Sequence, residues 1–319
     1  MAVTVDRSYL QRVVAVINNK GGVGKTTLVS NIGGLLARSG WRVLIVDLDP
    51  QGNVGDDLGY VDTEGDDSGA GLSKALLFGD DPHPLIAVRE NLDVIPGGQR
   101  INDISDALGQ KMGRGGDETL YARLSLALML AKVSANYDLI LLDCPPNNDT
   151  IQSIAAAASR YMLIPGRPEK ASKKGLKFTA ERQDRVLDLN PDLDLLGVVI
   201  FDSSKSASRV RSDWTEAVVA DLGGEGAEGI VFDNYIRHAE GVAKAARDKG
   251  MLVHELDEFV QSAPKWYERL KKGEAPEVAG PKSSGSVADS LVAVTEEFIN
   301  RLIDKEQSEA AAAGEAERV

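Results

Sequence analysis

The chain has 319 residues, 43% of them hydrophobic and 27% charged, with a formal net charge of −13. That length can bury a sizeable core in one large domain or at most two, and the composition is that of a folded, soluble protein. The acidic balance argues against a surface coated for nucleic acid, and the single cysteine, Cys144, excludes an internal disulfide or an all-cysteine metal cluster within one chain.

The first dozen residues (1–12) predict a short lead-in. They lack the basic stretch, apolar core and small-residue cleavage site of a signal peptide, so none is expected, and the single cysteine makes a reducing cytoplasm the simplest expectation. No apolar run approaches the roughly 20 residues needed to span a bilayer. "VVAVIN" then reads as a strand ending at a glycine loop. "TTLVSNIGGLLARSG" follows as a helix, with Leu28, Ile32, Leu35 and Leu36 at helical spacing and Gly40 as its stop. "RVLIVDLD", "NLDVIP", "DLILLDCPP", "RYMLIP", "LLGVVIF" and "IVF" are further apolar strands. Helices are predicted around 119–134, 150–158, 171–189, 208–222 and 239–249. Strands apolar throughout and alternating with helices indicate an α/β fold, a mainly parallel sheet covered on both faces. Ligands of such sheets sit at the carboxyl ends of the strands. Together these elements predict a domain over 13–270, a linker over 271–285 rich in Gly, Pro and Ser, and a last amphipathic helix over 286–306 packing on the same domain. A disordered Ala/Glu tail is predicted over 307–319.

"NNKGGVGKTT", residues 18–27, fits the end of the phosphate-loop pattern G-x-x-x-x-G-K-[ST], with Asn19 in place of the first glycine. The N–H groups of Gly21, Gly22, Val23, Gly24, Lys25, Thr26 and Thr27 would cradle phosphates, because glycine lets the backbone approach and a helix N-terminus is electropositive. Lys25 would reach the β- and γ-phosphates of ATP, and the Thr26 hydroxyl would bind Mg2+. Lys20 is a second lysine that a nucleotide in the same chain does not require. The pattern K-G-G-x-G-K-T resembles the deviant phosphate loop of the ParA/MinD ATPases. That resemblance implies that Lys20 crosses a homodimer interface to the partner's nucleotide and supplies positive charge during phosphoryl transfer.

"LIVDLDPQGN" sets Asp47 and Asp49 on one side of a strand end, where they could converge on one ligand or simply make a turn before Pro50. The D-x-D-P-Q-G-N wording again resembles ParA. By that resemblance Asp49 orients the attacking water and Asp47 lies near the Mg2+ shell. "LILLDCPPN" ends in Asp143, which the same resemblance places at the nucleotide, holding Mg2+ through water. Cys144 reads as a small buried residue. The resemblance runs from about residue 13 to 304. It departs at Arg167, often glutamine in the family, and at Arg237, often proline. Base contact is expected around Asp202 and the Ile236–Arg237 loop.

What the ATP serves is read from the rest of the chain. The "AAAAGEAERV" end has no apolar face, so the membrane-docking helix of MinD-type members is not expected. With about a dozen residues before the first strand, the operator-binding domain of long ParA forms is not expected. Resemblance to the short forms implies non-specific binding of nucleoid DNA by the ATP dimer, through Lys205, Arg209, Arg211, Arg237, Lys244, Arg247 and Lys249. A ParB-type centromere-binding partner would then stimulate hydrolysis. A solvated helix face accounts equally well for any one of those basic residues. The "RPEKASKKGLK" cluster suits a dimer or partner surface. Three rivals stand beside partition: the same engine positioning a protein cargo on the nucleoid, a metabolic phosphate-loop ligase or kinase, and a non-catalytic DNA-binding regulator.

Overall fold

The computed structural model describes residues 3–169, 185–222, 229–238, 240–264 and 280–316. One eight-stranded sheet forms from β1 (Val13–Val16), β2 (Val43–Asp47), β3 (Leu85–Arg89), β4 (Leu92–Ile95), β5 (Leu139–Asp143), β6 (Tyr161–Gly166), β7 (Asp194–Ser203) and β8 (Val231–Arg237). Its spatial order is β3-β4-β2-β5-β1-β6-β7-β8, and every neighbouring pair is parallel except β3 with β4. The apolar strands alternate between two cores. Val13, Ala15, Leu44, Val46, Ile140 and Leu142 enter one; Val14, Val16, Val43, Ile45, Leu139 and Leu141 enter the other. Period-two side-chain direction does this, and it explains why strands without a polar face still need two covering layers.

The helices that cover it are α1 (Lys25–Arg38), α2 (Asn53–Leu58), α3 (Ala70–Phe78), α4 (Arg100–Met112), α5 (Gly116–Ala131), α6 (Asp149–Ala158), α7 (Ser208–Leu222), α8 (Glu240–Arg247), α9 (Val253–Ser262) and α10 (Ser284–Ala316). Sequence periodicity anticipated α1, α5, α6, α7 and α8. It overlooked α2, α3, α4, α9 and the antiparallel edge strand β3. Most of the helix expected over 171–189 lies outside the described residues, as do 271–279 of the expected linker.

Both ends of the described residues are structured, and the tail differs from expectation. The lead-in is packed: Arg7–Leu10 forms a 3-10 turn, Leu10 is buried, and the Arg7 guanidinium donates to the Ala157 and Leu189 carbonyls at 3.0 and 2.6 Å. The last helix also runs on through Ala316, across residues 307–316 where a disordered tail was expected. Alanine and glutamate propagate a helix already started. Acids on it find arginines at the base of the sheet: Glu306 takes a two-pronged contact from Arg12 at 2.6 and 2.8 Å, and Glu309 pairs with Arg160. α10 also closes the β8 edge. Glu297 accepts from the Asp233 and Asn234 N–H groups at 2.9 Å, and Arg301 donates to the Val231 carbonyl at 2.9 Å. Edge groups that would otherwise template another strand are thereby satisfied.

Candidate functional site

β1, β2 and β5 are adjacent or nearly so, and all end at the same edge of the sheet. The loop from β1 to α1 is shaped by Gly22 and Gly24, at φ +70° and +85°, a region that costs an L side chain strain. A Cβ on Gly24 would also stand 2.2 Å from the Phe201 ring. Two asparagines brace the loop. Asn18 is buried, donates to the Pro165 carbonyl at 2.7 Å and accepts from the Lys20 N–H at 2.9 Å. Asn19, at the missing glycine position, accepts from the Asn147 N–H at 3.0 Å, tying the loop to the segment after β5. No side chain caps α1, so its first N–H groups stay available for an anion.

Lys25 is buried, and its ammonium donates to the Lys20 carbonyl at 3.2 Å. Burial pulls its pKa down, opposed by the Asp143 and Asp49 carboxylates. The Thr26 hydroxyl donates to Asp143 Oδ2 at 2.6 Å, whereas the buried Asp143 Oδ1 has no partner. Burial pushes the Asp143 carboxyl up to about 7 despite the Thr26 hydrogen bond. A hydroxyl beside an orphaned carboxylate oxygen is a donor set that suits Mg2+.

Asp47 and Asp143 are register partners across β2 and β5. Both Asp47 oxygens are occupied, Oδ1 accepting from the Asp49 N–H at 2.9 Å and Oδ2 from the Val54 N–H at 3.3 Å. Full burial holds its pKa well above the usual carboxylate range. Asp47 therefore braces the Asp49–Asn53 turn and the start of α2, and the free oxygen is on Asp143. Asp49 accepts from the Gln51 N–H at 2.9 Å and faces a pocket of about 840 Å³ that is also lined by Gly21–Thr27.

The remaining sequence candidates scatter. Lys20 extends to Glu169 of its own chain at 2.6 Å. Lys244 and Arg247 lie on the pocket wall, with Arg247 on Asp57 at 3.0 Å. Arg211 turns inward over Tyr235, 3.9 Å from the ring centre, and Lys249 lies over Phe259. Lys205 and Arg209 are exposed just past β7, next to the end of β8, where Ser203 pairs with Arg237. Asp202 sits at φ +63° between Arg167, at 2.9 Å, and His238. Sequence reasoning missed the bracing roles of Asn18 and Asn19, the Phe201 wall and the Glu169 contact. The Asn-Asn doublet was the one available signal.

A profile of the AAA domain family matches residues 11–195, more than half of the chain. The chromosome partitioning protein ParA of Caulobacter vibrioides is 35% identical over 203 residues, which are 62% of this chain and 72% of that protein. The chain belongs to the ParA family of partition ATPases. The sporulation initiation inhibitor Soj of Bacillus subtilis is likewise 35% identical, over 59% of this chain and 72% of its own length. Among solved structures, cobyrinic acid a,c-diamide synthase from Mycobacterium smegmatis with bound ADP and magnesium is 26% identical. It superposes at a TM-score of 0.60 over 85% of this chain and 99% of its own. Among the described residues, no helix is long and apolar enough to cross a membrane.

Proposed function

We infer that this chain hydrolyses ATP with Mg2+ as the timing step of a DNA segregation cycle. One observation carries the reading: Lys25, the Thr26 hydroxyl and the unpartnered Asp143 oxygen meet at the mouth of a glycine loop whose N–H groups are open. The loop from Gly21 to Thr27 holds the phosphates, and Lys25 neutralises the β- and γ-oxygens. Thr26 and Asp143 would hold Mg2+, which would offset the charge on the phosphates. Asp49 orients the attacking water. Lys20 completes the pocket of a second copy of the chain, so hydrolysis and homodimer formation proceed together. This requires the Lys20 amine to leave Glu169, a partly exposed ion pair of small worth.

The dimer would hold nucleoid DNA through phosphate contacts without sequence preference. Lys205, Arg209 and Arg237, grouped at the ends of β7 and β8, are the residues best placed for it. A ParB-type partner would stimulate hydrolysis and release. The similarity to ParA and Soj supports this cycle. The test is DNA binding with ATP, ADP and no nucleotide at two salt concentrations. Binding should require ATP and fall steeply with salt. Lys205→Glu with Arg209→Glu should weaken it for all sequences alike. Equal binding in all three nucleotide states would overturn the reading.

A further inference from the structure

Helix α2 begins four residues after Asp49 and is tied near its C-terminal end to parts of the chain some two hundred residues away. At its C-terminal end Gly59 meets Gly250 so closely that a Cβ on Gly250 would stand 2.5 Å from the Gly59 Cα. Arg89 locks the junction, donating to the Leu58 carbonyl at 3.1 Å, to the Gly250 carbonyl at 2.9 Å and to the Glu255 carboxylate at 2.6 Å. Two residues back, Asp57 is buried at 8% exposure. Its Oδ1 accepts from Arg247 Nε at 3.0 Å and its Oδ2 has no partner. Arg247 is the last residue of α8 and shares the pocket wall with Asp49 and the phosphate loop.

We propose that Arg247 is a positioning residue for hydrolysis: it holds α2 through Asp57 and thereby sets the Asp49–Asn53 turn against the nucleotide. The inference rests on the ATPase reading above and moves Arg247 out of the DNA-contacting set. The route is short. Asp47 spans the turn by accepting from Asp49 and Val54, and Arg247 holds the helix that the turn opens. A carboxylate this buried remains ionised only beside a cation. Burial already pushes the Asp57 pKa up against the pull of Arg247. Loss of the guanidinium would leave the buried Asp57 carboxylate without its cation and let the six-residue α2 shift about the Gly59–Gly250 junction, which would keep it attached. The catalytic aspartate would then wander by the fraction of an ångström that matters for aligning water with a phosphorus.

The experiment is a double-mutant cycle of Arg247→Met, Asp57→Asn and both together, with kcat, KM and the dissociation constant of a fluorescent ADP analogue measured for each. Each single substitution should lower kcat by about tenfold with nucleotide affinity unchanged within about twofold, and the double should be no worse than the worse single. Arg247→Lys should recover part of kcat, which a packing role alone would not allow. A double variant additive in its losses would overturn the proposal, as would an Arg247→Met enzyme with weakened ADP affinity and normal kcat. If Arg247→Met does not fold, Asp57→Asn and Arg247→Lys still decide it. A wild-type chain without ATP turnover would instead sink the ATPase reading itself, whereas turnover indifferent to these substitutions would sink only this inference.

Discussion

The two halves of the strand-end edge are built by different means. At the β2–β5–β1 half, the charged groups are buried: Asp47 is held by the backbone N–H groups of Asp49 and Val54, Asp49 by that of Gln51, and Asp143 by the Thr26 hydroxyl of the phosphate loop. At the β6–β7–β8 half, the groups are partly exposed and held by side chains just past the neighbouring strands, as with Asp202 between Arg167 and His238. Local backbone bracing fixes a carboxylate to within the tolerance of chemistry. Pairing between long side chains near water fixes little and is worth little. The first half is therefore suited to a reaction and the second to adaptable contacts.

The comparison can be broken most forcefully at Asp49. Asp49→Ala should lower kcat by about a hundredfold or more while ATP-bound dimers accumulate; single-turnover kinetics with light scattering would report both, and normal hydrolysis would remove Asp49 from the water. Gly24→Ala comes next. A left-handed φ and a ring 2.2 Å from the new Cβ should together cost about 2 kcal/mol or more and abolish nucleotide binding. Denaturant melts and calorimetric titration of ADP would show it.

Lys20→Ala should leave ADP binding intact and remove ATP-dependent dimers in sedimentation velocity. A variant that still dimerises normally would refute the trans role. Glu169→Gln sharpens the same point, and should raise the dimer fraction by at most about fivefold because the contact it removes is a partly exposed ion pair.

Asp57 gives the pH dependence. Its folded pKa is raised by burial, so its contribution to stability is fully present below the ordinary carboxylate range, near pH 4, and is lost as pH rises through the folded value. Wild-type melting temperature should therefore fall with rising pH relative to Asp57→Asn, and parallel curves would remove the effect. The smallest response is expected at the other half of the edge. Asp202→Asn keeps a residue that tolerates φ +63° and should change stability by no more than about 1 kcal/mol, without altering kcat.

Local physics made much of the first half legible. "GGVGKTT" requires glycines at positive φ, and Gly22 and Gly24 have it. A strand ending in aspartate followed by Pro-Gln-Gly-Asn must turn, and Asp47 accepts from that turn. The same reasoning could not see that this bracing takes up both Asp47 oxygens, which fold back on donors two and seven residues on. Nor could it see Phe201 over Gly24, because a phenylalanine in an apolar strand carries no mark of what its ring will touch. Lys244 and Arg247 looked like part of a basic helix face. Only the packing of α8 beside α2 turns them toward the pocket.

By itself the sequence determined the alternation of strands and helices, the phosphate loop and the aspartates at the strand ends, because each depends on residues within about one turn or one strand of its neighbours. Tertiary structure alone decided which carboxylate oxygen is left free, where Lys20 rests, and that the chain's last helix seals the sheet edge and runs on to Ala316. Those outcomes turn on which distant groups reach the same few ångströms first. Spacing along the chain holds no record of that.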